Sequence, residues 1–261
     1  MFKLMKYEFR KMRTPLLMMA ASLIGLEAGF IYGLRTENYR IVGICLGMLA
    51  ALVFVAYFYI LIAGITSYER ELSDRTGYLA FMTPVPPLGI VGAKLLYTAL
   101  TAVCATTLFG AAVCYDFVSL TRGVGMDPEL YRQVQYAMNM LSERMGPGSP
   151  IQQAVMLVAY QGGGMLIHLM LLMCCAYLAV TLSTTILQTR KSVLKMAISF
   201  GIFMGLNYIS NEVTGRVTGD LEQYAAAEVL RLLGLRAAIE FAFSLAFAGI
   251  SAWLLDRKVS L

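Results

Sequence analysis

Six long apolar runs, separated by polar stretches, set the pattern of this chain. They cover 15–34, 41–66, 93–118, 151–187, 193–210 and 235–255. A hydrocarbon layer about 30 Å thick is crossed by about 20 helical residues, so each run reads as a membrane-spanning helix, the fifth a short one. The fourth run is too long for one crossing, so part of it has to tilt or project beyond the bilayer. The predicted fold class is therefore all-α: a polytopic membrane protein with six transmembrane helices. A cleavable signal peptide is not expected, because the first run lacks a small-residue cleavage site and a second span follows directly.

The stretches between the runs carry patterns of their own. Over 1–14, Phe2, Met5, Phe9 and Met12 fall on one helical face and Lys3, Lys6, Arg10 and Arg13 on the other. That is an amphipathic helix suited to the headgroup region, with Pro15 expected to mark the turn into the first span. A purely topogenic basic tail is the plainer alternative.

The connection 67–92 combines a mixed-charge run (Glu69, Arg70, Glu71, Asp74, Arg75), Gly77, an apolar stretch with Tyr78, Leu79, Phe81 and Met82, then Thr83 and the breakers Pro84, Pro86 and Pro87. This predicts a short helix across one end of the bundle. It is either a docking surface for another protein or packing against the chain's own helix ends.

Two segments on the opposite side, within 119–150 and 211–234, also read as helical. The first starts at Asp127-Pro128-Glu129 and carries Leu130, Val134, Met138, Leu141 and Met145 until Gly146-Pro147-Gly148. The second is capped by Asp220 and reaches Gly234.

Composition sharpens this reading. The 261 residues are 59% hydrophobic and only 14% charged, against about 45–50% and about 25% in soluble domains. A soluble enzyme, a disordered chain and a disulfide scaffold are excluded on that ground. The net charge of +5 is a matter of topology. With the N-terminus cytoplasmic, thirteen of the 21 basic residues, every lysine among them, fall inside. This predicts cytoplasmic N- and C-termini and gives no reason to invoke nucleic acid. Cys45, Cys104, Cys114, Cys174 and Cys175 all sit in apolar runs and read as small packing residues.

Candidate chemistry is sparse. Intramembrane ionisable groups are functional candidates because lipid penalises them. Glu27 and Glu240 are the two acidic candidates. Arg236 lies four residues before Glu240 and permits a local ion pair. Glu27 has no local partner and either is protonated or meets another span. Asp116 reads as interfacial. His168, the sole histidine, reads as a buried, hydrogen-bonded residue rather than a metal ligand. Motifs for zinc or serine hydrolysis and for a phosphate loop are absent, so no catalytic, metal-binding or cofactor-binding residue is predicted and any ATP would be bound by another polypeptide. Gly25, Gly29 and Gly33, Gly43 and Gly47, and Gly201 and Gly205 form G-x-x-x-G steps that let helices approach closely, within one chain or across a dimer.

Three stretches together, KYEFRKMRTP at 6–15, ERELSDRTGYLAFMTPVPPLGIVGAKLL at 69–96 and LLDRKVSL at 254–261, resemble the six-span permease subunits of ABC-2 type (type V) ABC transporters. The resemblance runs through Glu69, Arg70, Glu71, Thr76, Gly77, Leu79, Thr83, Pro84, Val85, Gly92 and Lys94, with Leu72 to Arg75 as extra residues. It implies a connecting helix over 1–14 and a permease domain over 15–261. It also implies a coupling helix in 67–92, a second ATPase contact at Arg190 and Lys191, and a re-entrant element near 220–233. The implied partners are two copies of an ABC ATPase, which holds the ATP and magnesium, a second permease chain as homodimer or heterodimer, and membrane lipid. The implied location is a bacterial plasma membrane, and the implied activity is export of an amphipathic substrate such as a peptide antibiotic, lipid or drug. Two rivals stand beside it: an ion-coupled secondary transporter using Glu27, and a membrane assembly or sensory protein that transports nothing.

Overall fold

The computed structural model describes residues 2–73, 87–121, 132, 136, 150–186, 192–218 and 226–259. Nearly all of those residues fall in six helices: α1 Phe2–Arg35, α2 Tyr39–Ser73, α3 Pro87–Thr121, α4 Pro150–Ile186, α5 Ser192–Thr218 and α6 Ala226–Val259. Five of them contain stretches long and apolar enough to cross a membrane: Arg13–Arg35, Tyr39–Arg70, Gly89–Leu120, Gly162–Thr184 and Gly234–Asp256. Apart from the α1–α2 turn the described residues are all helical, and the length and apolar character of these helices are those of a polytopic membrane protein. The fifth helix, α5, has 27 residues, enough in length. Its second half carries Asn207, Asn211 and Glu212, which lower its apolar character.

Two expected boundaries are not formed. Pro15 lies inside α1, which continues unbroken from Phe2 to Arg35, so 2–14 and the first span are one helix. Proline removes one backbone hydrogen bond, and water can replace it where the helix leaves the hydrocarbon. Gly234 does not end a separate external helix either. The stretch from Ala226 onward runs straight into the last span as α6, because a lone glycine costs a helix only about 1 kcal/mol. The long fourth run is one helix of 37 residues, about 55 Å at 1.5 Å per residue, and so overshoots a bilayer as its length required.

The α1–α2 turn is built from three residues, Thr36, Glu37 and Asn38. Asn38 N–H donates to the Gly33 carbonyl at 3.0 Å and Glu37 N–H to the Leu34 carbonyl at 3.4 Å. Glu37 supplies the left-handed residue, with φ 53°. This is a Schellman cap, with glutamate at the position that glycine ordinarily fills. The turn lays α2 back along α1. Val42 then fits against Gly33, where a Cβ would come within 3.0 Å of its Cγ2, and Cys45 fits against Gly29 at 3.0 Å.

Helix α4 is the central element and packs on α2, α3, α5 and α6. Leu171, Met173, Cys175, Ala179 and Thr181 on it are fully enclosed. Small residues allow this closeness. A side chain at Gly162 of α4 would meet Thr106 of α3 at 2.7 Å, and one at Gly110 of α3 would meet Val158 of α4 at 2.5 Å. Outward faces stay apolar, as lipid requires: Ile24, Phe54, Phe58 and Leu245 are exposed.

Candidate functional site

The helix ends that carry the 74–86 segment are fixed to the rest of the bundle. Tyr68 on α2 stacks on Tyr177 of α4, ring centroids 4.1 Å apart at 17°. The Thr181 hydroxyl donates to the Tyr177 carbonyl at 2.7 Å, so the Tyr68 hydroxyl is the donor in its 2.7 Å bond to Thr181 Oγ1. The Tyr177 hydroxyl reaches the Gly64 carbonyl at 3.4 Å. Lys94, at the start of α3, is buried, and its Nζ donates to Ser67 Oγ of α2 at 2.8 Å. Val91, Val180 and Leu255 close the same cluster. Four helices, α2, α3, α4 and α6, therefore meet at one end of the bundle, the end at which α2 stops and α3 begins.

Sequence reasoning placed Lys94 in a motif but missed its burial and its bond to Ser67. It also missed Tyr68 and Tyr177. Tyr177, deep in an apolar run, carries a signal that could have marked it, since a buried hydroxyl needs a partner; Tyr68 stands beside the mixed-charge stretch and carries none.

Of the predicted coupling residues, Glu69 and Arg70 lie exposed in the last turns of α2, and Glu71 belongs to the same helix. Thr76, Gly77, Tyr78, Leu79, Phe81, Met82, Thr83 and Pro84 lie outside the described residues, as do Arg190 and Lys191 and the expected element at 220–225. The helix read from Asp127 is described only at Arg132 and Tyr136, both helical.

The intramembrane charges form two groups. Glu240 on α6 is buried, and Arg236 Nε donates to its Oε1 at 2.9 Å, the pair expected from their spacing. His168 Nδ1 stands 3.7 Å from Glu240 Oε2, beyond hydrogen-bond range. The His168 side chain is 37% exposed, and its Nδ1 has no hydrogen-bond partner among the described residues. The expected buried, hydrogen-bonded histidine is thus not formed: His168 faces the second oxygen of the Glu240 carboxylate at ion-pair range, and its ring is partly exposed. The three residues join α4 to α6 inside the spans that begin at Gly162 and Gly234, in the half away from the tyrosine cluster. Among the described residues no group of three His, Cys, Asp or Glu side chains converges on a metal position.

Glu27 and Asp116 make the second group. Glu27 on α1 is partly buried and Asp116 on α3 is 3% exposed. Their carboxyl groups are neighbours and interact across the two helices. Glu27 therefore does meet a residue from another span. Asp116 lies about one turn from the end of its span at Leu120 and is enclosed between helices. Its Oδ1 lacks a hydrogen-bond partner among the described residues.

The glycine steps separate into two kinds. Gly29 and Gly33 are used inside the chain against α2, while Gly25, Gly43, Gly47, Gly201 and Gly205 have open space where a side chain would stand. On α5 the open glycines lie among exposed Phe200, Met204 and Tyr208. No protein-family model matches the chain, and neither a curated protein nor a solved structure matches it.

Proposed function

We propose that this chain is the membrane-spanning permease subunit of an ATP-driven transporter, resembling the ABC-2 class, with α5 as its sixth span. A separate ATPase subunit would bind ATP and magnesium and dock on the 67–92 connection. The observation that carries this reading is the braced pair of helix ends around Tyr68, Tyr177, Lys94 and Ser67. A segment held by fixed ends can transmit a push from a partner into the bundle, whereas a loosely tethered loop absorbs it. Motion at 74–86 would reach α4 directly, and α4 contacts four other helices. The open glycines Gly25, Gly201 and Gly205 support a second permease chain against α1 and α5, since such faces favour close helix pairing. Export of an amphipathic cargo across a bacterial plasma membrane, with both chain termini cytoplasmic, rests on the family resemblance and the lysine distribution.

The test is the Phe81→Asp and Met82→Asp double variant. It is expected to insert and fold but to lose co-purification with a Walker-motif ATPase. Retention of full assembly and transport would overturn the coupling role.

The neighbouring carboxyls of Glu27 and Asp116 favour one other reading, an ion-coupled transporter with these acids as its proton or cation site. That reading expects gradient-driven flux with no ATPase present, abolished by Glu27→Gln.

A further inference from the structure

We propose that the cleft between α1 and α3 is a binding site for an anionic phospholipid, with one acyl chain in the cleft and the phosphate on Arg13. This requires only that the two helices cross a membrane, and it stands apart from the transport reading.

The cleft has a volume of about 650 Å3 and is walled by Phe9, Leu16 and Leu23 of α1, Ile60 of α2, and Leu108 and Phe109 of α3. That volume lies within the range of small-molecule sites, roughly 300–1,000 Å3. Its walls offer almost no polar chemistry. Thr101 and Tyr97 also line it, but the threonine hydroxyl is committed to the Tyr97 carbonyl at 2.9 Å and the tyrosine is 7% exposed. A peptide would bring a row of backbone donors and acceptors to walls that are almost wholly apolar. A hydrocarbon chain brings none.

The length also fits. From Phe9 to Leu23 the α1 wall runs about 21 Å at 1.5 Å per residue. One leaflet's acyl chain needs about 15 Å, half the hydrocarbon thickness. The remainder extends to headgroup depth.

Charge selects the headgroup. Positions 9, 13, 16, 20 and 23 form a single stripe along α1, and Phe9, Leu16, Ala20 and Leu23 of that stripe line the cleft. Arg13 is the remaining member, between Phe9 and Leu16. It is exposed, with exposed Arg10 beside it. Among the described residues no carboxylate pairs with Arg13. An apolar slot flanked by an exposed cation at headgroup depth complements a single anionic amphiphile, its tail along the slot and its phosphate on the cation.

The experiment uses the full chain in phosphatidylcholine nanodiscs containing a trace of phosphatidylglycerol with a diazirine-bearing acyl chain. Photolysis is followed by mass spectrometric mapping of adducts. The expected adducts concentrate on Cys104, Leu108 and Phe109, with far fewer on the open α2 face at Phe54 and Phe58. Unlabelled phosphatidylglycerol is expected to compete about five-fold better than phosphatidylcholine, the ratio one basic residue gives at a membrane surface. Arg13→Gln is expected to bring that ratio to about one and Arg13→Lys to keep it. Ala105→Trp, or Leu16→Trp if the first variant is not monodisperse, is expected to remove the cleft adducts with either lipid. Even labelling around all helix faces would overturn the proposal, as would a headgroup preference that survives Arg13→Gln. So would Cys104–Cys104 cross-linking between two chains together with an unlabelled cleft, which would make a second copy the occupant.

Discussion

Removing the Tyr68 side chain is expected to loosen the end of the bundle that carries the 74–86 segment. Tyr68 is 2% exposed. Tyr68→Ala loses three contributions at once: the ring's packing, its stack on Tyr177 and its hydroxyl bond to Thr181. Aromatic-to-alanine changes in a packed interior cost about 3–5 kcal/mol, of which the stack accounts for about 0.5–1.5 kcal/mol. The hydroxyl contributes least. Hydrogen bonds between membrane helices average about 0.6 kcal/mol, and Thr181 keeps its own bond to the Tyr177 carbonyl. Tyr68→Phe should therefore cost about 0.6 kcal/mol and Tyr68→Ala about 3 kcal/mol or more.

Both values are measurable by titrating the chain from mixed micelles into sodium dodecyl sulfate while following helix content by circular dichroism. A Tyr68→Ala variant within about 0.5 kcal/mol of the parent chain would refute the brace. An equal cost for Tyr68→Phe and Tyr68→Ala would refute the ordering of its parts, since it would place the whole effect in one hydroxyl. If the brace also couples a partner, Tyr68→Ala should leave ATPase binding intact while lowering transport per ATP hydrolysed.

Other expectations follow from the same packing. Gly33→Leu should cost about 1–3 kcal/mol because Val42 stands against it, while Gly25→Leu should leave single-chain stability unchanged and weaken any dimer seen by cross-linking. Arg236→Ala should destabilise more than Glu240→Ala. The first strands a carboxylate that is 4% exposed, at about 3 kcal/mol, and the second leaves an arginine that is 43% exposed and reaches solvent or headgroups. Glu37→Gly should stabilise the chain, by up to about 1 kcal/mol. It removes the left-handed cost of a side chain, about 1–2 kcal/mol, against a somewhat smaller loss in glycine entropy. The micelle titration reads the single-chain changes.

The helices were legible because lipid imposes one length and one composition on every span. Contacts were legible only where they are local. Arg236 and Glu240 sit one turn apart, so their ion pair follows from spacing. Glu27 and Asp116 lie on different helices, and no periodicity links them. Tyr68 and Tyr177 are hidden for the same reason, as is the choice of Gly29 and Gly33, rather than Gly43 and Gly47, for close packing. Pro15 and Gly234 misled in the opposite sense. Their local preference is to end a helix, but a continuous rod that spans the bilayer satisfies more backbone groups than a break would, and this outweighs a cost of a few kcal/mol at one residue. The Schellman turn at Glu37 was not legible because the residue at the left-handed position is not the glycine that announces such a turn.

The most direct test of the permease reading is reconstitution of the purified chain into sealed vesicles, with and without its co-purified partner. Flux of an amphipathic reporter would be measured under ATP alone and under an ion gradient alone. A permease subunit gives flux only when a Walker-motif ATPase is present and ATP is hydrolysed, with no response to the gradient. Gradient-driven flux by the chain alone, lost on Glu27→Gln, would contradict that reading.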